Sequence, residues 1–220
     1  MELNFEDVLS NFVHFYTLEH KIYREKQPKH LLKRLKYIVS KIQVVIDKRP
    51  ELFNNKSVLD FGCATGEHSY ILSHLCESVD CYDPEPSQND LLHSLFDTNN
   101  KINVINENDC YFNRYDTVLI SGVLECVPDY VNWFNTTAKK LNCEYIVLIF
   151  APNNHWTVDR HPRHYRHLDD SNLQTVTDEQ ELLSGVEDLL LIDRFAFTTK
   201  GKGARNHQKI VHIYKNKETS

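Results

Sequence analysis

The chain has 220 residues, 41% of them hydrophobic and 25% charged, with a net charge of −6. That length suits one α/β core with a helical extension, and that balance excludes a disordered or fibrous chain. No apolar run approaches the ~20 residues that cross a bilayer, and the acidic start (Glu2, Glu6, Asp7) lacks the basic opening of a secretory signal, so a cytoplasmic protein without a membrane partner is expected.

Residues 1–50 read as a helical segment. Asn4 to Leu18 sets Phe5, Val8, Leu9, Phe12, Val13 and Phe15 on one face. After a break at Gln27-Pro28, Leu31, Leu32, Leu35, Ile38, Val39, Ile42, Val45 and Ile46 recur at helical spacing, with Pro50 just beyond. This segment carries ten Lys/Arg and six Asp/Glu, a net +4, whereas the remainder carries fifteen and twenty-five, a net −10.

From Ser57 the pattern alternates. Ser57–Phe61 reads as a buried strand, followed by a glycine turn and a helix from about Glu67 to Cys76. Ser78–Tyr82 is the second strand, and a helix includes Leu91 to Phe96. Ile102–Ile105, Thr117–Ile120 and Tyr145–Phe150 are the next strands, with a helix over Tyr130–Leu141. Leu189–Ile192 and Ile210–Tyr214 come last, and no long helix separates them, so they should pair antiparallel. Repeated strand–helix units with continuous apolar strands mean a mostly parallel sheet covered on both faces. The expected architecture is seven-stranded, with an antiparallel last strand, and residues 51–220 forming the main domain. The six cysteines (63, 76, 81, 110, 126 and 143) form no C-x-x-C pair and are expected as buried, reduced thiols.

The most informative stretch is Asp60-Phe-Gly62-Cys63-Ala64-Thr-Gly66. A buried strand runs into a turn where glycine permits close backbone approach, and a helix N-terminus follows. A dinucleotide fingerprint started at Gly62 needs glycine at 64 and 67; the chain has Ala64 and Glu67, so that pattern fails twice. Asp83 closes the second strand twenty-three residues after Asp60, where a carboxylate can accept ribose hydroxyls.

The spacing resembles the D-x-G-x-G-x-G turn of class I, Rossmann-like methyltransferases, with Ala64 in place of the middle glycine. The resemblance covers about residues 55–215 and implies S-adenosyl-L-methionine as cofactor. It implies that Asp60, Gly62, Cys63, Ala64 and Gly66 cradle the cofactor, that Asp83 takes the ribose, and that Asp109 and Cys110 meet the adenine. Ser121 and Gly122 would flank the methionine part. Leu124-Glu-Cys-Val127 resembles the family's Leu-Glu-His-Val, with Cys126 replacing the histidine.

The segment after the fifth strand borders the acceptor in that family. His164-Tyr-Arg-His-Leu168 resembles its His-x-Arg-x-Phe stretch. His155, His164 and Tyr165 are therefore the acceptor-side candidates, histidine being suited to a base near neutral pH. His161, His164 and His167 drift around a helix axis and Pro162 interrupts one, so no metal is expected. Arg160, Arg163 and Arg166 offer either an anion grip or a solvated basic loop. The family often folds an N-terminal helical segment over the pocket, and residues 1–50 are expected to act as that lid.

The acidic main domain favours a small-molecule, or a sugar- or peptide-linked, acceptor over nucleic acid. Methylation of an RNA ribose or cap is the alternative, and a catalytically silent binding subunit is the other. Oligomeric state is not legible.

Overall fold

The structure is a computed structural model that describes residue 8 and residues 28–127, 129–151, 179–186, 188–200 and 206–217. Its elements follow in chain order. Helix α1 spans Pro28–Lys48, β1 Ser57–Phe61, α2 Glu67–Leu72, β2 Ser78–Tyr82, α3 Pro86–Phe96, β3 Ile102–Val104 and α4 Glu107–Phe112. Then come β4 Arg114–Ser121, α5 Tyr130–Lys140, β5 Asn142–Phe150, α6 Glu179–Gly185, β6 Leu189–Lys200 and β7 Asn206–Asn216.

The seven strands form one sheet in the order β3-β2-β1-β4-β5-β7-β6. β1 to β5 pair in parallel. β7 runs antiparallel to both β5 and β6, so it alone is reversed. This is the expected seven-stranded, mostly parallel sheet with helices on both faces. β1 and β2 have the expected bounds, because each is a short, largely apolar strand.

Several bounds differ from expectation. The helix after the glycine turn ends at Leu72 and gives way to turns before Cys76. β6 and β7 extend to Lys200 and back to Asn206, through polar residues that an edge hairpin tolerates on its solvent face. Residues 107–112 form a further helix, capped by the Asn106 side chain, which accepts the Asp109 N–H.

Each sheet face carries its own core. One packs α1, α2 and α3 through Val39, Ile42, Val45, Ile71, Leu92 and Phe96. The other packs α4, α5 and α6 through Cys110, Tyr130, Phe134, Ala138 and Leu182. α1 is thus part of the main core, and Val8 joins it. His68 of α2 ties the two helices by a contact to the Ile38 carbonyl at 3.2 Å; burial lowers its pKa to about 4, so the ring is neutral there. No helix among the described residues is long and apolar enough to cross a membrane.

Candidate active site

The carboxyl ends of the parallel strands meet at the glycine turn. Gly62, Ala64 and Gly66 all lie in the left-handed region, at φ 77°, 51° and 77°. Two donors fix the start of the turn: the Gly62 and Cys63 N–H groups both reach the Tyr82 carbonyl, at 2.8 and 3.0 Å. The turn then closes through the Gly66 N–H on the Cys63 carbonyl at 2.9 Å.

A side chain at either glycine has no room. A Cβ at Gly62 would strike the Val123 side chain, and one at Gly66 would lie 2.5 Å from the Phe96 ring. Ala64 is exposed and has no such conflict, but it holds a conformation that costs a residue with a Cβ about 1–2 kcal/mol.

Asp83 is drawn to this turn. Its Oδ2 accepts the Ala64 N–H at 2.8 Å and its Oδ1 accepts the Glu85 N–H at 3.0 Å. Each oxygen keeps a further lone pair. Burial raises its pKa, and the two backbone donors oppose that rise.

Asp60 lies beneath the turn at 1% exposure, where the Ser69 hydroxyl donates to its Oδ2 at 2.6 Å. Desolvation raises its pKa to about 7 against the Ser69 bond, with Glu67 and Asp83 adding to the rise. Cys63 is buried beside Cys81, which with burial holds its thiol well above the ordinary range. All six cysteines are free thiols.

Asp109 and Cys110 sit on α4 beyond β3. The Asp109 carboxylate takes the Asn106 amide at 2.6 Å, and Cys110 is fully buried with its thiol directed at the Asn106 carbonyl. Ser121 ends β4. Among the described residues its hydroxyl is buried without a partner, as are the side-chain oxygens Gln88 Oε1, Asn89 Oδ1 and Glu125 Oε2. Beside Ser121, Gly122 has φ 75° and, among the described residues, no atom within 4 Å of a Cβ position.

Asp60, Gly62, Cys63, Ala64, Gly66, Asp83 and Ser121 therefore gather along one sheet edge. Gln88 and Asn89 were missed in the sequence. Both lie one turn ahead of Leu92, which packs under Gly66, and polar residues on the apolar face of α3 were the available signal. Glu125 and Lys209 were missed too. Glu125 Oε1 accepts the Ala151 N–H at 2.9 Å and lies 3.4 Å from the Lys209 ammonium. His155, His164 and Tyr165, with the three arginines, lie outside the described residues.

These residues fit S-adenosylmethionine. The left-handed turn admits close backbone approach, Asp83 has lone pairs for ribose hydroxyls, and among the described residues the Ser121 hydroxyl at the end of β4 is buried without a partner. Bound there, the molecule supplies an electrophilic methyl group on a sulfonium.

Fold and site together define an S-adenosylmethionine-dependent methyltransferase. A family profile described as a methyltransferase domain matches residues 23–187, and the chain belongs to that family. No curated protein matches the sequence. A methyltransferase from Anabaena variabilis shares the fold at 10% identity and TM-score 0.59, covering 98% of this chain and 96% of its own. The N-methyltransferase NodS of Bradyrhizobium japonicum, solved with S-adenosylhomocysteine, does so at 13% identity and TM-score 0.55, covering 96% and 98%. An enzyme described for conversion of a disulfide into a thioacetal in echinomycin biosynthesis matches at 18% identity and TM-score 0.57, covering 80% and 81%.

Proposed function

We propose that this methyltransferase acts on a small-molecule, or a sugar- or peptide-linked, acceptor. The cofactor half of this reading is supported by one observation above others: the Asp83 carboxylate bonds the glycine turn yet keeps a lone pair on each oxygen. The acceptor half is supported by the net −10 charge of residues 51–220, which repels a polynucleotide. NodS, a relative in fold, is an N-methyltransferase.

In this reading the backbone of residues 62–66 orients the cofactor, and Asp83 anchors its ribose. Asp109 and Cys110 border the adenine, and Ser121 the methionine part. His155, His164 and Tyr165 line the acceptor side, and residues 1–50 cover it. With an activated methyl donor, much of the rate comes from holding donor and acceptor in line.

Calorimetric titration with S-adenosylhomocysteine, and with NADH as control, tests the cofactor half. Asp83→Ala should weaken S-adenosylhomocysteine binding at least about tenfold, or about 1.4 kcal/mol. Unchanged binding removes the ribose assignment. Methyl transfer to total RNA but to no small molecule would overturn the acceptor half.

A further inference from the structure

Past Ser121 the carboxyl edge ends in a buried ion pair that the cofactor grip does not use. Glu125 lies in the tight 3-10 turn Leu124–Cys126 and reaches the end of β5. Lys209 comes from the reversed strand β7, level with Ala151, because the next pair is Ile210 with Phe150. It is only 5% exposed. By strand alternation with Val211 and Ile213 it lies on the α1–α3 face, as Ser121 does by alternation with Leu119.

The pair is incompletely satisfied. Among the described residues Glu125 Oε2 is buried with no partner. Among the described residues Glu125 Oε1 is the partner of the Lys209 ammonium, which has three donors. Burying such groups unpaired costs more than an apolar pair of the same volume would. Both positions left open among the described residues, a carboxylate lone pair and ammonium N–H groups, occur at the edge where ligands of such sheets bind. The Ser121 hydroxyl, unpartnered among the described residues, and Gly122, which has no described atom within 4 Å of a Cβ position, lie next along that edge.

The charges decide what fits. Glu125 and Lys209 already neutralise each other, so an incoming ion would leave one net buried charge. An ammonium can only donate and a carboxylate can only accept, whereas a hydroxyl donates to Glu125 Oε2 and accepts from Lys209 Nζ at once.

We propose that Glu125 and Lys209 form an acceptor subsite that selects and orients a neutral, hydroxyl-bearing small molecule. This rests on the methyltransferase reading above. Fluorine NMR of the full chain saturated with S-adenosylhomocysteine tests it, using para-fluorophenol against fluorobenzene, para-fluorobenzylammonium and para-fluorobenzoate. The phenol should bind at least about tenfold tighter than each control. That preference should vanish in the double variant Glu125→Gln/Lys209→Met, which removes both charges together and keeps an oxygen for the Ala151 N–H. Glu125→Gln alone is the second variant and should weaken the preference with S-adenosylhomocysteine affinity unchanged. Equal binding of all four probes, or a preference that survives both variants, overturns the subsite. Failure of S-adenosylhomocysteine to bind the unaltered chain overturns the methyltransferase reading instead.

Discussion

Asp60→Asn measures what it costs to seal a carboxylate beneath the glycine turn. In the folded chain this group titrates at about 7, against 3.8 as its ordinary value, chiefly because burial disfavours its charge. Between those two values the folded state holds a proton that the unfolded chain has released. Stability therefore falls as pH rises through that window and levels off above about 7. Each pH step of one costs about 1.4 kcal/mol, so the penalty is at most about 4 kcal/mol near pH 8 and about 1–2 kcal/mol near pH 5. Asparagine is nearly isosteric, cannot ionise, and retains an oxygen for the Ser69 hydroxyl. The variant should be more stable than the unaltered chain, by a margin that widens from acid to neutral pH. Urea unfolding of both proteins at several pH values reads that margin, since other titrating groups cancel in the difference. A margin that is flat with pH, or a variant less stable near pH 8, would refute the argument.

Three further outcomes follow from the same region and its far side. Ala64→Gly should stabilise the fold by about 0.5–1 kcal/mol, because glycine relieves the left-handed strain at φ 51° while loosening the unfolded chain; a lowered urea midpoint contradicts this. Gly66→Ala should cost at least about 2 kcal/mol, since the new Cβ meets the Phe96 ring and φ is 77°, and circular dichroism melts would show it. Glu179 accepts two bonds from Arg194 and lies 2.6 Å from His212 Nε2, and its pKa is held at about 2, first by Arg194. Because that value lies below the unfolded one, the contribution is present above about pH 4.5 and is lost as pH falls towards 2. Glu179→Ala should cost about 1 kcal/mol near pH 7, Arg194 being half exposed, and should shrink the acid-induced loss of stability.

The parts that were legible in the sequence are those where one residue type has one local meaning. Ser57–Phe61 and Ser78–Tyr82 are apolar between turn residues, so both strands emerge with their bounds. Gly62 and Gly66 emerge as turn positions, because a turn between strand and helix restricts what can stand there. Helix α4 does not emerge, since Glu-Asn-Asp-Cys-Tyr-Phe has no apolar period and only the Asn106 cap announces it. Glu125 and Lys209 are eighty-four residues apart, and their meaning comes from a strand reversal that pairs β7 with β5. Lys209 stands just before the apolar run Ile210–Tyr214, where a lysine ordinarily reaches for water.

That reversal divides the ligand edge between an early and a late portion of the chain. The turn at 62–66 and Asp83 follow the first two strands, and their mutual bonds do not involve β5, β6 or β7. Glu125, Ala151 and Lys209 come from residues beyond 120. The molecule is in this sense modular. Substitutions beyond Gly122 can alter what is modified without touching the Asp83 to Ala64 bond or Ser121, so a chimera that keeps this chain through Gly122 and takes another protein's later portion of the same topology should exchange acceptors and keep the donor.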